Sequence, residues 1–501
     1  MSKLNKDILF LIFEELQEDS KSLFSCLMVN RLWCETVVPI LWRNPWRYNG
    51  INYNNKRSLF IIIFHYLFDD IKEFITNQRI QIPSGSNQSH LFDYFSYCRS
   101  FNVNTINSII SIGSPLVYNQ FFMQQKFYYF FMKRCPELKY LDMRSIKHQI
   151  FYFPEAKARL DSLCELKCDT SIDSSYFYGL SSLCQYIQSL IIINTDPKPN
   201  HGIVKFIEVQ NNLKHFEWKD YFDDDILTED PYEEVFCALE KKADSLNYLR
   251  IYFQYVDNIE ETSLQKILPK LYKLKILTLN DYRLFTNEQL EQLRIQVYHD
   301  LEILSLEWNS FSVIPSMIEN SGRCIKKILF KPENAIEYEC NNFNEDSLNF
   351  IRKIYENCPS IEYLTITFPP SEEHFAEFEK LLKICQNIKS LLIIIYNVDK
   401  IETSEKILEN GKILLEILVR SAPTNLKEIR FYEDFKFSLE NLEDFLEKWR
   451  GRPAISILTS DPIYERENYE KLINKYQEYG VIKIFKHSLF VDEIDYHFMY
   501  I

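Results

Sequence analysis

Apolar residues at the start of the chain recur at helical spacing. Leu4, Ile8, Leu9, Ile12, Phe13 and Leu16 share one face, which predicts an amphipathic helix. Asp7 lies in its opening turn, where the helix dipole favours a carboxylate. Leu23, Cys26, Leu27, Asn30 and Cys34 predict a second helix, with Val29 and Trp33 on an adjoining face, and then come Val38, Leu41 and Trp42. Three helices this short bury little core by themselves, so their apolar surface needs the rest of the chain or a partner. Beyond a polar link, Leu59, Ile62, Ile63, Tyr66, Leu67, Ile71 and Phe74 predict a further helix, and Pro83 to Asn87 a turn. The aromatic-rich stretch from Leu91 to Arg99 belongs to a connecting region expected to seal the open end of a repeat array.

From Cys135 onward the pattern repeats. An apolar residue, two others, an apolar residue, one other and a third apolar residue recur from Leu138, Leu163, Ile187, Leu213, Leu246, Leu274, Leu301, Ile325, Ile361, Ile388, Leu426 and Ile455, with a weak copy at Val481. Most copies lie about 24 to 29 residues apart and a few about 33 to 38, close to the period of leucine-rich repeats. The alternating end of each unit predicts a short strand with its leucines turned inward. Helical faces such as Leu264-Ile267-Leu268-Leu271 and Phe375-Phe378-Leu381-Leu382 return the chain to the next parallel strand. No unit buries its apolar side alone, so stacking supplies the core. The expected fold class is α/β: a short three-helix module, then a solenoid of parallel strands alternating with helices. Unrelated strand–helix pairs in ordinary α/β domains are the alternative.

Strand positions on the concave face are the candidates for binding a target. They are Tyr140, Trp218 (with Glu217 and Lys219 beside it), Tyr248, Arg250, Asn280, Glu307, Thr367, Arg430 and Tyr432, together with Asp142, Thr278, Ser305 and Thr365. A register error of one residue would turn each to the opposite face.

Leu4, Ile8, Leu9, Ile12, Phe13, Leu16, Leu23, Cys26, Val29, Trp33 and the Leu41-Trp42 pair resemble an F-box, the three-helix module that docks on a Skp-family adaptor in cullin-based ubiquitin ligases. The V-N-R-L-W core from Val29 to Trp33 carries most of the likeness. Where many members have a proline after the first leucine, this chain has Asn5, a residue able to cap a helix. The repeats, entered through Cys135-Pro136, Cys358-Pro359, Cys385 or Arg452-Pro453, resemble the cysteine-containing leucine-rich class often found behind an F-box.

The resemblance implies an F-box-like module over 1–48, a linker and capping region over 49–131 and a leucine-rich solenoid over 132–501. It implies a substrate-recognition subunit without its own active site or cofactor. Its partners would be a Skp-type adaptor, a cullin reached through that adaptor, and a protein target. Leu9, Ile12, Phe13 and Leu16 would form much of the adaptor contact, while Val29, Trp33 and Trp42 would hold the helices together. An interaction scaffold whose helices only cap the solenoid is the alternative, and an enzyme assembled from dispersed residues is a third reading.

Charge and chemistry narrow the picture further. A net charge of −14 argues against nucleic acid, which needs a basic surface. The scarcity of glycine argues against phosphate-cradling loops. Lys3 and Lys6 precede an apolar run that Glu14 and Glu15 cut off, unlike a secretory signal, and the run from Leu59 to Phe68 is too short to span a bilayer. Twelve cysteines without a C-x-x-C pair fit free thiols in cytosol or nucleus. Cys164 and Cys168 could share a metal but fit buried apolar positions better. No nucleophile, metal or P-loop motif is present. The acidic run from Tyr221 to Asp225, with Glu229, Asp230, Glu233 and Glu234, reads as a solvated loop or as a site for a basic segment.

Overall fold

The structure is a computed structural model that describes residues 5–17, 19–47, 56–67, 91–113, 116–222, 229–254, 263–280, 285–307, 313–319, 321–331, 342–395, 403–432 and 436–487. Leu4, Ile71, Phe74, Pro83 to Asn87, Asp223 to Asp225 and the side chain of Glu307 lie outside these residues. The chain divides into two compact units, residues 1–242 and 243–501.

The first unit begins with α1 (Lys6–Glu15), α2 (Ser20–Cys26) and α3 (Arg31–Arg43). The stretch expected as one second helix is broken. Asn30 adopts an extended backbone, and its Oδ1 accepts the Trp33 N–H at 3.0 Å as the N-cap of α3. Asn5 caps α1 differently from expectation: its backbone carbonyl accepts the Leu9 N–H at 3.0 Å, but its side chain makes no cap bond. Leu9, Phe13, Leu23, Cys26, Val37, Ile40 and Leu41 form a small core between the three helices. Arg43 bridges to both Glu14 oxygens at 2.6 and 3.2 Å, joining α3 to α1.

Hydrogen bonds tie the module to a sheet. Trp46 Nε1 donates to the Ser100 carbonyl at 2.9 Å and the Arg99 N–H to the Arg43 carbonyl at 2.8 Å. The first strand, β1 (Ser100–Asn102), falls inside the region expected to link the module to the array and cap its open end. The helix Val117–Arg134 covers it with aromatic side chains, Phe101 meeting Phe131 at 4.6 Å between ring centres. Next come β2 (Tyr140–Asp142), β3 (Glu165–Asp169), β4 (Ser189–Asn194) and β5 (His215–Asp220), each parallel to its predecessor.

The second unit holds nine more strands among the described residues: β6 (Tyr248–Tyr252), β7 (Ile276–Asn280), β8 (Ile303–Glu307), β9 (Lys327–Lys331), β10 (Tyr363–Phe368), β11 (Ser390–Ile395), β12 (Glu428–Tyr432), β13 (Ile455–Thr459) and β14 (Ile482–His487). All pair in parallel and in chain order. Register aligns Leu249, Leu277, Leu304, Ile328, Leu364, Leu391, Ile429 and Ile457 into one continuous buried row. This row is the solenoid core, supplied one residue at a time by the repeat. The unit at Ile455 is one residue short. Ile455 already stands in β13, and the pairing with β14 shifts between Ile455 and Ser456.

Return helices start at capping side chains, each accepting a backbone N–H: Asp173 and Asn200 in the first unit, Thr286, Ser371, Thr403 and Ser438 in the second. Cys135, Cys358 and Cys385 are buried just before their strands, as small apolar side chains would be. Together, the parallel strands, the alternating helices and the periodic core make this a leucine-rich α/β solenoid.

Candidate interaction surfaces

The three N-terminal helices present two different apolar faces. Leu9, Phe13, Leu23 and Cys26, expected at an adaptor contact, are used up inside the module's own core. Trp33 is half-buried, edge-on to Phe13 at 5.3 Å, and Leu16 is half-buried as well. Trp42 packs against that core as expected, and it also faces Tyr94 at 4.4 Å, in the short helix Tyr94–Tyr97 ahead of β1. Ile8 and Ile12 are exposed, as is Val29, which therefore does not hold the helices together.

Around them lie apolar residues that helical spacing passed over: Phe10, Leu11 at 65% exposure, Phe24, Met28 at 87% and Leu32. Their signal was nevertheless present. Ile8 to Phe13 is an unbroken apolar run, and a helix that buries one stripe must leave part of such a run outside.

On the first unit's sheet, the face turned away from the core is charged. Tyr140 is exposed, and Asp142 takes the Arg144 guanidinium at 2.7 and 2.9 Å. Partial burial raises the pKa of Glu165 and lowers that of Lys167 on the same face. Trp218 is a correction. It pairs in register with Ile192, points into the core at 2% exposure and donates Nε1 to Asp220 Oδ1 at 2.8 Å. Its neighbours Glu217 and Lys219 carry the outward positions.

The second unit's equivalent face is far more enclosed. Arg250, Thr278, Ser305 and Leu329 form one row across β6 to β9, and Thr365, Leu392 and Arg430 stand in register across β10 to β12. Arg250 and Arg430, six strands apart, line a single cavity of about 90 Å³. The face must therefore curve tightly, which is why Arg250 is only 5% and Arg430 only 7% exposed.

Arg430 Nε donates to Glu428 Oε1 at 2.7 Å, and the same oxygen accepts the Ser390 hydroxyl at 2.9 Å. The Arg250 guanidinium lies 5.3 Å from the centre of the Tyr248 ring, and Lys327 Nζ lies 4.6 Å from that of Tyr363. Burial pushes the Lys327 ammonium below its ordinary range. Tyr248, Asn280 and Tyr432 are half-buried on this face, Tyr432 against Leu392 and Ile394. Thr367 is fully buried there, and curvature leaves it no surface to offer a target.

Among the described residues, no group of three or more His, Cys, Asp or Glu could hold a metal, and no helix is long and apolar enough to cross a membrane. No family model matches the chain. No curated protein matches it either. A crystal structure of the Rad7 and Elc1 complex in yeast is similar at 12% identity, covering 87% of this chain and 95% of that one with a TM-score of 0.39. A protein from Bacteroides fragilis is similar at 13% identity over 60% of this chain and 66% of that one, with a TM-score of 0.27. At such values the fold assignment stands on the strand pairing and periodic core alone.

Proposed function

We propose that the chain is a substrate-recognition subunit of a cullin-based ubiquitin ligase. Its N-terminal helices, an F-box-like module within residues 1–48, dock on a Skp-type adaptor. The outer face of its strands receives a protein target, and catalysis belongs to partner proteins that this chain brings into proximity. What supports the reading most is the apolar rim of the module: Phe10, Leu11, Ile12, Phe24, Met28 and Val29 stay exposed although the module already has its own core. Large apolar side chains gathered on a soluble surface mark a partner site.

The test is capture of the full chain by a purified Skp-type adaptor, comparing wild type with the double change Leu11→Asp plus Met28→Asp. Both positions are exposed, so the variant should fold, and burying two charges at the contact should weaken capture more than 100-fold. A wild-type chain that the adaptor does not retain would leave the helices as a cap. The Trp46–Ser100 hydrogen bond to β1 and the Trp42–Tyr94 contact to the helix before it suit that second reading.

A further inference from the structure

Several strands of the second unit carry apolar residues at outward positions where the repeat does not require them. Comparable positions of the first unit hold Asp142, Lys167 and Glu217, in register with one another or with their neighbours. In the second unit Ile276, Ile303, Leu329 and Leu392 stand there instead, and all four line the cavity described above. Thr365 stands among them at 1% exposure, and its Oγ1 makes no hydrogen bond. Leaving a buried hydroxyl without a partner is costly, and such groups call for an explanation. The charged side chains of the cavity are already engaged: Arg430 with Glu428, Lys327 over the Tyr363 ring and Arg250 near the Tyr248 ring. Nothing in the cavity therefore calls for an ion.

We propose that this cavity binds a small, uncharged, largely apolar molecule with one hydrogen-bonding oxygen. That oxygen meets Thr365 Oγ1, and the apolar body lies against Ile276, Ile303, Leu329 and Leu392. The inference rests neither on adaptor docking nor on capture of a protein target.

Three considerations select this occupant. A volume of about 90 Å³ holds roughly six to nine waters, which is room for one small ring and too little for a helix or strand. Aliphatic walls with a single placed polar group are the usual composition of a small-molecule site, whereas an ion would give up its water there for little return. A hydroxyl both donates and accepts, so an alcohol or a carbonyl oxygen satisfies Thr365. Water alone would satisfy it too, but would leave the four aliphatic side chains wetted. An aliphatic side chain from a protein target would fill the walls and bring no oxygen to Thr365.

Cyclohexanol, cyclohexylammonium and cyclohexanecarboxylate share one ring and differ in charge, and titration of the full-length protein by saturation-transfer NMR ranks their binding. Cyclohexanol should bind at least tenfold more tightly than either ion. Thr365→Val, which keeps the shape, should weaken that binding threefold or more without lowering the melting temperature. Ile303→Phe, at a half-buried position of the lining, should fill the space and abolish binding, so each substitution decides the matter if the other fails to fold. The proposal is overturned if cyclohexanol does not bind, if all three molecules bind equally, or if neither substitution weakens binding. Binding of N-acetyl-leucine N-methylamide in place of cyclohexanol would also overturn it, and would make the cavity a pocket for a target's side chain.

Discussion

The same repeat builds two different strand faces. In the first unit, the positions between the inward residues carry Tyr140, Asp142, Lys167, Glu217 and Lys219, and they keep contact with solvent. In the second, the equivalent positions include Arg250, Thr278, Ser305, Leu392 and Arg430, all nearly inaccessible. The core rows behind them hardly differ: Phe101, Leu141, Leu166, Leu190 and Phe216 in one unit, Leu249, Leu277, Leu304 and Ile328 in the other. Pointing away from the core is thus a property of the repeat, while reaching solvent is a property of curvature.

The sharpest way to break this comparison is to place one charge at equivalent positions. Leu392 and Ile191 both point away from the core, but only Leu392 is buried. Leu392→Asp should cost about 3 kcal/mol, because an enclosed position loses the packing of a buried leucine and strips water from a carboxylate, a cost that Arg430 beside it in register offsets only in part. Ile191→Asp, half-exposed and between Lys167 and Glu217, should cost about 1 kcal/mol or less. Urea midpoints of the two variants measure the difference. Equal costs would mean that the second face is as open as the first.

A pair of threonines gives a smaller effect with opposite signs. Thr170 Oγ1 donates to Asn194 Oδ1 at 2.9 Å and accepts the N–H groups of Thr195 and Asp196, each at 2.9 Å. Thr367 is buried on the second face, and its Oγ1 makes no hydrogen bond. Thr170→Val should therefore destabilise by about 2 kcal/mol, whereas Thr367→Val, which keeps the shape, should stabilise by about 1 kcal/mol. Denaturant titration of both variants reads the signs. A loss at Thr367 would show that its hydroxyl already has a partner.

How much of this is legible in the sequence depends on the kind of fact. The repeat copies from Leu138 to Leu426 lead to strands because each leucine position is dictated by the row it joins. β1 carries the same frame, with Cys98, Phe101 and Val103 all buried, but Cys98 in place of a leucine and the aromatic residues crowded around it hide the copy that precedes Leu138. Trp218 departs from expectation although the frame from Leu213 already puts Phe216 and Trp218 inward: an indole suggests a binding role, and the frame overrules it. The burial of Thr367 and the shared cavity of Arg250 and Arg430 are not legible, since both depend on curvature accumulated over several strands. At the N-terminus the helices are legible, but not which stripe of α1 faces inward.

The finest test uses pH, because the two units hold carboxylates shifted in opposite directions. Glu379 takes the Arg420 guanidinium at 2.8 and 2.9 Å, and that bond, with help from Lys383, holds its carboxyl down at about 2. A depressed carboxylate contributes stability above its unfolded value of about 4.5, and the contribution drains away as pH falls toward 2. Glu165 behaves in reverse. Burial raises its pKa, so the folded state favours its proton, and the first unit should lose a little stability as pH climbs above about 4.5. Glu379→Gln should therefore flatten part of the acid-side loss, while Glu165→Gln should remove a small penalty at neutral pH. Urea midpoints of the two variants and wild type between pH 2.5 and 7 separate these effects. If both substitutions moved the curve in the same direction, the contrast between a paired carboxylate on the second unit's helices and a half-buried one on the first unit's strand face would be lost.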